Sequence, residues 1–159
     1  MSHDALIEAL SGTIETLDDG SVVYRDAGGR PHRVNGPAVV YTNGKGDWYR
    51  HGALHREDGP ALLLPDGSAL WFRYGELHRE DGPAVQHVSG GEEWYRNGVI
   101  HRDDGPAVVD RYGSCIWYKS GKRHREDGPA VITARGELSW FLNGIQITET
   151  VHRRSIAKG

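Results

Sequence analysis

The sequence is poor in residues that build compact cores or covalent frameworks. Its 159 residues include one cysteine, one methionine and two phenylalanines, and only 37% are hydrophobic. The single Cys115 excludes an internal disulfide framework and a thiolate-clustered zinc site, and it favours a reducing, cytoplasmic compartment. The small apolar content argues against a compact two-layer core and favours a thin or elongated shape.

Membrane-spanning and nucleic-acid-binding features are also missing. No run approaches the roughly 18 apolar residues of a membrane span, and the first residues lack a basic region followed by an apolar one. The net charge is -3, with no broad basic field. We therefore expect a soluble protein without a transmembrane segment or a secretory signal, and we do not expect nucleic acid as its main target.

Glycine, in contrast, is abundant, and its excess is periodic. There are 22 glycines, roughly twice the usual share of about 7%. A phrase of the type H-R-x-D-G-P-A recurs every 23 residues, and a tryptophan stands sixteen residues after each of its histidines. The histidines are His32, His55, His78, His101 and His124. Tyrosine or phenylalanine always follows the tryptophan.

Each unit has the pattern of a β-hairpin. Two short runs rich in β-branched and aromatic residues flank a glycine-bearing turn such as Asn43-Gly44. With this pair as the turn, Val39 faces Trp48, and the tryptophan and the next aromatic residue point to opposite faces. About seven residues, such as 99–105, link one hairpin to the next.

The sequence therefore predicts an all-β fold, an elongated antiparallel ribbon of five consecutive 23-residue β-hairpin repeats with short terminal caps. Residues 1–31 form an N-terminal cap with a short helix at about 5–11 and a degenerate repeat. Residues 32–146 carry the repeats. Residues 147–159 form a C-terminal cap or tail, which either adopts a second short helix or frays.

The repeat resembles the MORN family, and more closely its bacterial and viral variant with the H-R-x-D-G-P-A signature. The resemblance rests on that phrase and on W-Y-R-N-G at 94–98, and it covers 32–146. Two features depart from the usual pattern of the family: His-Arg replaces its histidine-glycine pair, and Pro-Ala stands where the family often has another glycine-flanked residue. The resemblance implies a hairpin ribbon used in protein contact, scaffolding or membrane-associated assembly. Similar bacterial proteins look like antitoxin or immunity partners, and phages and large viruses carry many; no active site is implied.

The five periodic histidines are the first candidates for metal binding or proton transfer, because a carboxylate stands three residues after most of them. Those carboxylates belong to Asp58, Asp81, Asp104 and Asp127. Equivalent residues two strands apart are about 9–10 Å apart, too far to share one metal ion at about 2.0–2.1 Å. We predict a structural role for the histidines, the aspartates and the signature prolines Pro60, Pro83 and Pro106, with no metal or cofactor. Partner or ligand contact, and metal binding or catalysis, stay open as alternatives.

The strongest functional hint is a row of aromatic and cationic residues in the central repeats. A single-layer ribbon cannot bury both of its faces, and uncovered apolar surface usually marks interaction. Interface energy concentrates on Trp, Tyr and Arg. The predicted partner-binding residues are Trp71, Arg73, Trp94, Arg96, Trp117 and Lys119.

We therefore expect a binding protein without enzymatic activity, which engages another protein as an inhibitor, immunity protein or scaffold. Two alternatives remain: sequestration of an anionic small molecule or nucleotide, and a hydrolase that uses the His/Asp/Glu edge. Pairing with a second copy of the chain also stays open, since long sheet edges favour it. The near equivalence of the copies favours binding, because an enzyme needs one site unlike the others.

Overall fold

A computed structural model describes residues 12–156. The chain divides into two compact units, 1–76 and 77–159, which are described separately. The helix predicted at 5–11 lies outside the described residues.

The first unit consists of short antiparallel strands. Four of them form one sheet in chain order: β1 (Thr13–Thr16), β2 (Val22–Arg25), β3 (Val39–Val40) and β4 (Gly46–Asp47). Two hairpins follow, β5 (Tyr49–Arg50) with β6 (Ala53–Leu54) and β7 (Leu62–Leu63) with β8 (Ala69–Leu70). The last strands are β9 (Phe72–Arg73) and β10 (Glu76–Leu77), which reaches the unit boundary.

The second unit contains a longer antiparallel sheet. Its strands, in order, are β11 (Val85–Gln86), β12 (Glu92–Glu93), β15 (Val108–Val109), β16 (Cys115–Ile116), β19 (Val131–Ile132), β20 (Leu138–Leu142) and β21 (Ile145–Ile147). Between them stand two small hairpins, β13 (Tyr95–Arg96) with β14 (Val99–Ile100) and β17 (Tyr118–Lys119) with β18 (Lys122–Arg123). Helix α1 (Glu149–Ile156) follows β21. The all-β prediction is confirmed, and of the two outcomes predicted for the C-terminal segment, the structure shows the helix.

The register predicted for the hairpins is wrong by one residue. Val39 lies opposite Asp47, not opposite Trp48. The reason is the turn: the N–H of Tyr41 donates to the Lys45 carbonyl, which leaves a loop of three residues, 42–44, and Gly44 ends this loop at a φ of 80°. Such loops close a type I turn with a glycine bulge, whereas the prediction assumed a two-residue turn. A register shift of one residue pairs each residue with the neighbour of its expected partner.

The link predicted between hairpins contains strand as well. In the second unit, β13 and β14 pair around Asn97 and Gly98, whose φ angles are 49° and 72°. Two consecutive positive φ angles define the type I′ turn that two-residue hairpins prefer. The chain therefore forms a second small hairpin, whose second strand takes up the first two residues of the expected link, 99 and 100.

The tryptophan lies where the chain passes from one hairpin to the next. The backbone N–H of Trp94 donates to the carbonyl of Ala107 at 2.7 Å, and no strand is assigned at Trp94 itself. Strand β20 runs without a break through Trp140 and Phe141. Successive side chains of a strand point to opposite faces, so these two rings lie on opposite faces of the sheet. For the other repeats, opposite faces stay a prediction.

The H-R-x-D-G-P-A phrases form five loops, here called the first to fifth signature loops: 32–38, 55–61, 78–84, 101–107 and 124–130. Each ends in an alanine with no exposed surface, namely Ala38, Ala61, Ala84, Ala107 and Ala130. The backbone of Ala107 bonds to two neighbouring segments, since its N–H donates to Ile116 and its carbonyl accepts from Trp94. Its methyl group is fully enclosed at this junction.

Candidate functional site

Each signature histidine accepts a hydrogen bond from the type I′ turn that follows it. The Nδ1 atom of His55 lies 3.2 Å from the backbone nitrogen of Tyr74, the first central residue of its turn. The same bond joins His32 to His51, His78 to Asn97, His101 to Ser120 and His124 to Asn143, at 3.0 to 3.1 Å. Because Nδ1 accepts, the proton of the neutral imidazole must reside on Nε2.

The Nε2 atoms of the later histidines face the acid two residues on. The distances are 3.7 Å for His55 and Glu57, 3.0 Å for His78 and Glu80, 3.1 Å for His101 and Asp103, and 3.2 Å for His124 and Glu126. The buried Nε2 of His78 lies within ion-pair distance of the Glu80 carboxylate but makes no hydrogen bond. At His124 both ring nitrogens are engaged, which leaves neither available as a general base.

Burial lowers the pKa of His55, and the charge of Arg50 lowers it further. The carboxylate of Glu57 acts in the opposite direction but does not reverse the shift. His55 is therefore kept neutral, the form in which its Nδ1 can accept the turn's N–H.

Signature arginines, the arginines of the signature loops, each cover an aromatic ring of the preceding 23-residue repeat. The Cζ atom of Arg56 stands 4.0 Å from the ring centre of Trp48, within cation–π range. Equivalent pairs are Arg33 with Tyr24, Arg102 with Trp94 and Arg125 with Trp117, at 3.8 to 4.0 Å. The guanidinium also lies against the signature glycine: a Cβ on Gly59 would lie 2.8 Å from Cζ of Arg56. The glycine thus makes room for the stacked arginine.

The aspartate and proline of the signature hold the arginine in this position. Nε of Arg56 donates to Asp58 at 2.8 Å, and Nη1 donates to the Pro60 carbonyl at 3.3 Å. The same contacts recur for Asp81, Pro83, Asp104, Pro106, Asp127 and Pro129. The arginine hydrogen bond is the main cause that lowers the pKa of each of these aspartates.

The predicted partner-binding residues fall into two classes of accessibility. Arg73, Arg96 and Lys119 are exposed, whereas Trp71, Trp94 and Trp117 are half-buried. Trp71 and Arg73 belong to the first unit and the other four to the second. Arg102 and Arg125 each cover one face of the indoles of Trp94 and Trp117. The sequence analysis missed this cover, although an arginine eight residues after each of the first four tryptophans was the available signal.

Open grooves lie between consecutive signature loops, and sequence reasoning did not predict them. One in the first unit has a volume of about 420 Å³. One in the second unit has a volume of about 600 Å³. Both grooves are lined by two consecutive signature arginines, the tryptophan between them, the cation two residues after that tryptophan and the next signature histidine. In the second unit these residues are Arg102, Arg125, Trp117, Lys119 and His124.

Within residues 12–156, no group of three or more His, Cys, Asp or Glu side chains is arranged to hold a metal ion. In the same part of the chain, no helix has the length and apolar character needed to cross a membrane. The chain matches no protein-family model. It also has no significant match among curated proteins.

Proposed function

We propose that this chain is a non-enzymatic binding protein that engages another protein through the charged rims of its signature-loop grooves. The observation that supports this is the recurrence of one arrangement. A half-buried tryptophan, an arginine stacked on it, a nearby cation and exposed carboxylates line both grooves. A repeated surface suits binding of an extended partner, whereas catalysis needs one distinct constellation.

The charge pattern of the rim indicates how a partner is selected. In the second unit, Arg96 lies 3.5 Å from Asp103, and Lys119 lines the groove beside exposed Glu126 and Asp127. Closely spaced charges of both signs reject partners with mismatched charges and fix the register of a matched one. The partner in this proposal presents an alternating acidic and basic surface.

The finer assignment follows from the MORN resemblance. In our proposal the protein acts in the cytoplasm as an inhibitor or immunity partner, or as a scaffold. A single cysteine and the absence of a disulfide framework support a reducing compartment.

Affinity capture with the tagged full-length chain tests this function. The wild type is compared with a variant carrying Arg96→Glu and Lys119→Glu, and captured proteins are identified by mass spectrometry. A specific partner should be lost in the variant, since both changes reverse rim charges without touching buried groups. The matched control carries Arg111→Glu and Arg135→Glu, two exposed cations of other turns in the same unit. Equal capture by both folded variants would contradict the proposal.

A further inference from the structure

The groove in the first unit differs in charge from its counterpart in the second. Three cations, Arg33, Arg50 and Arg56, line it together with two acids, Glu57 and Asp58. The counterpart has three cations as well, but four acids: Asp103, Asp104, Glu126 and Asp127. The difference arises at one place, because Val34 and Asn35 of the first signature loop replace the acids of the other loops.

This replacement leaves the first signature arginine without its usual carboxylate. Arg33 stacks on Tyr24 at 3.8 Å and donates to the Pro37 carbonyl at 3.3 Å, as its equivalents do. The aspartate that binds Nε in the other loops is Asn35 here. Within residues 12–156, no carboxylate lies at ion-pair distance from Arg33.

A second unpaired guanidinium lines the same groove. Arg50 is half-buried, and the described part of the chain places no carboxylate at ion-pair distance from it, whereas its equivalent Arg96 reaches Asp103. The backbone N–H of Arg33 donates to the carbonyl of Tyr49 at 3.2 Å, which holds the strand of Arg50 against the first signature loop. The two guanidinium groups that lack a carboxylate partner in residues 12–156 therefore belong to side chains on adjoining backbone.

We propose that this groove binds a small molecule that carries a phosphate group, with the phosphate held between Arg33 and Arg50. Guanidinium groups bind phosphate oxygens with two parallel hydrogen bonds, and two of them match a doubly charged group. The volume of about 420 Å³ exceeds the needs of the phosphate and leaves room for an organic part beside Trp48.

The two acids of the groove favour a small ligand over an extended anionic surface. The side chains of Glu57 and Asp58 are 82% and 79% exposed, so they would repel a broad field of negative charge. A compact ligand can place its phosphate by Arg33 and Arg50 and keep it away from these acids. The test of this site is separable from that of the protein contact proposed above, because that contact is tested on residues of the second unit.

Nuclear magnetic resonance of the arginine Nε–Hε groups tests the site directly. Ribose 5-phosphate and inorganic phosphate are each titrated into the full-length protein at low ionic strength. We expect saturable shifts for Arg33 and Arg50, with tighter binding of the sugar phosphate because its organic part fills the groove. Absence of saturation at these two arginines, or equal shifts for Arg102 and Arg125, would overturn the proposal.

A reciprocal exchange of loop sequences supplies matched variants. Val34→Glu with Asn35→Asp gives the first loop the sequence of the second, so the fold should tolerate it. Loss of a charge-assisted contact predicts binding weaker by about tenfold or more. Asp103→Val with Asp104→Asn gives the fourth loop the first loop's sequence and should create phosphate-dependent shifts at Arg102. Unchanged binding in the first variant, or no new shifts in the folded second variant, would contradict the assignment.

Discussion

At the scale of single residues, every member of the signature phrase has a contact that explains it. The histidine accepts from a turn N–H, the arginine stacks on an aromatic ring, and the aspartate and proline hold the arginine. The glycine leaves space for the guanidinium, and the alanine fills a fully buried junction. The phrase is therefore explained by packing before any ligand is invoked.

Gly59→Ala should destabilise the first unit through its stacked arginine. The new methyl group would displace Arg56 from Trp48, and loss of the cation–π contact should cost about 1 kcal/mol. The free energy of unfolding, measured with urea, checks this. In an Arg56→Ala background the same glycine change should cost much less, because nothing remains to be displaced. Equal costs in both backgrounds would refute the stacking argument.

The histidine contacts predict a loss of stability in mild acid. The folded pKa of His55 lies below its unfolded value of about 6.5, because burial disfavours the charged ring. The unfolded chain therefore takes up the proton first. Stability from this group is complete above about pH 6.5 and falls as the pH drops toward the folded pKa.

Urea unfolding of the wild type and of His55→Gln at pH 7.5 and 5.5 measures this linkage. At the higher pH the variant should be less stable by about 1–3 kcal/mol, since the Tyr74 N–H loses its partner. The difference in the free energy of unfolding between the wild type and the variant should be smaller at pH 5.5. A difference that stays constant would show that His55 does not titrate as its surroundings indicate.

At the scale of elements, two kinds of turn alternate. Three-residue loops with a glycine bulge close the longer hairpins, and type I′ turns close the small ones. The first central residue of the type I′ turn has a φ of 48° to 53° in all five turns found in residues 12–156. Asparagine suits this conformation better than most residues, and it stands at two of these positions, Asn97 and Asn143.

Ser120→Asn should stabilise the second unit. Ser120 has a φ of 50° and is exposed, so that asparagine improves the turn without changing any buried contact. We expect a gain of about 0.5 kcal/mol, visible as a higher midpoint of thermal unfolding. Asn97→Ser is the reverse control and should lower the midpoint by a similar amount. A lower midpoint for Ser120→Asn would contradict the turn assignment.

At the scale of the whole molecule, the apolar core is small and built largely from alanine. Among residues 12–156, the buried hydrophobic side chains are the five signature alanines together with Val23, Val85 and Phe141. Hydrogen bonds and stacked arginines connect signature loops to the tryptophan of the preceding repeat, as between the second loop and Trp48 and between the fifth loop and Trp117. Cohesion therefore depends on close backbone approach at the alanines, where a larger side chain has no room.

Ala107→Leu should destabilise the second unit by about 1–3 kcal/mol, because overpacking forces neighbouring strands apart. Ala134→Leu is the control, since Ala134 is exposed and its side chain gains the same atoms in solvent. Chemical unfolding of both variants measures the effect. Equal stability of the two variants would show that the alanine junction is not tightly packed.

The 23-residue period by itself determined the all-β class, because turn glycines and β-branched or aromatic runs act locally. The sequence also identified the signature residues, and it has Val34 and Asn35 where the other copies have acids. What it could not determine was the pairing of Val39, since two-residue and three-residue loops share the same glycine and differ only in backbone geometry.

Tertiary structure alone decided where the arginines point and which side chains line the grooves. The groove in the first unit unites residues from 33 to 58, and it exists because two signature loops lie side by side. Stacking of Arg56 on Trp48 depends on the space left by Gly59, a contact that spacing along the chain does not encode. Local chemistry therefore determined the elements, whereas backbone approach between them decided the surface available for binding.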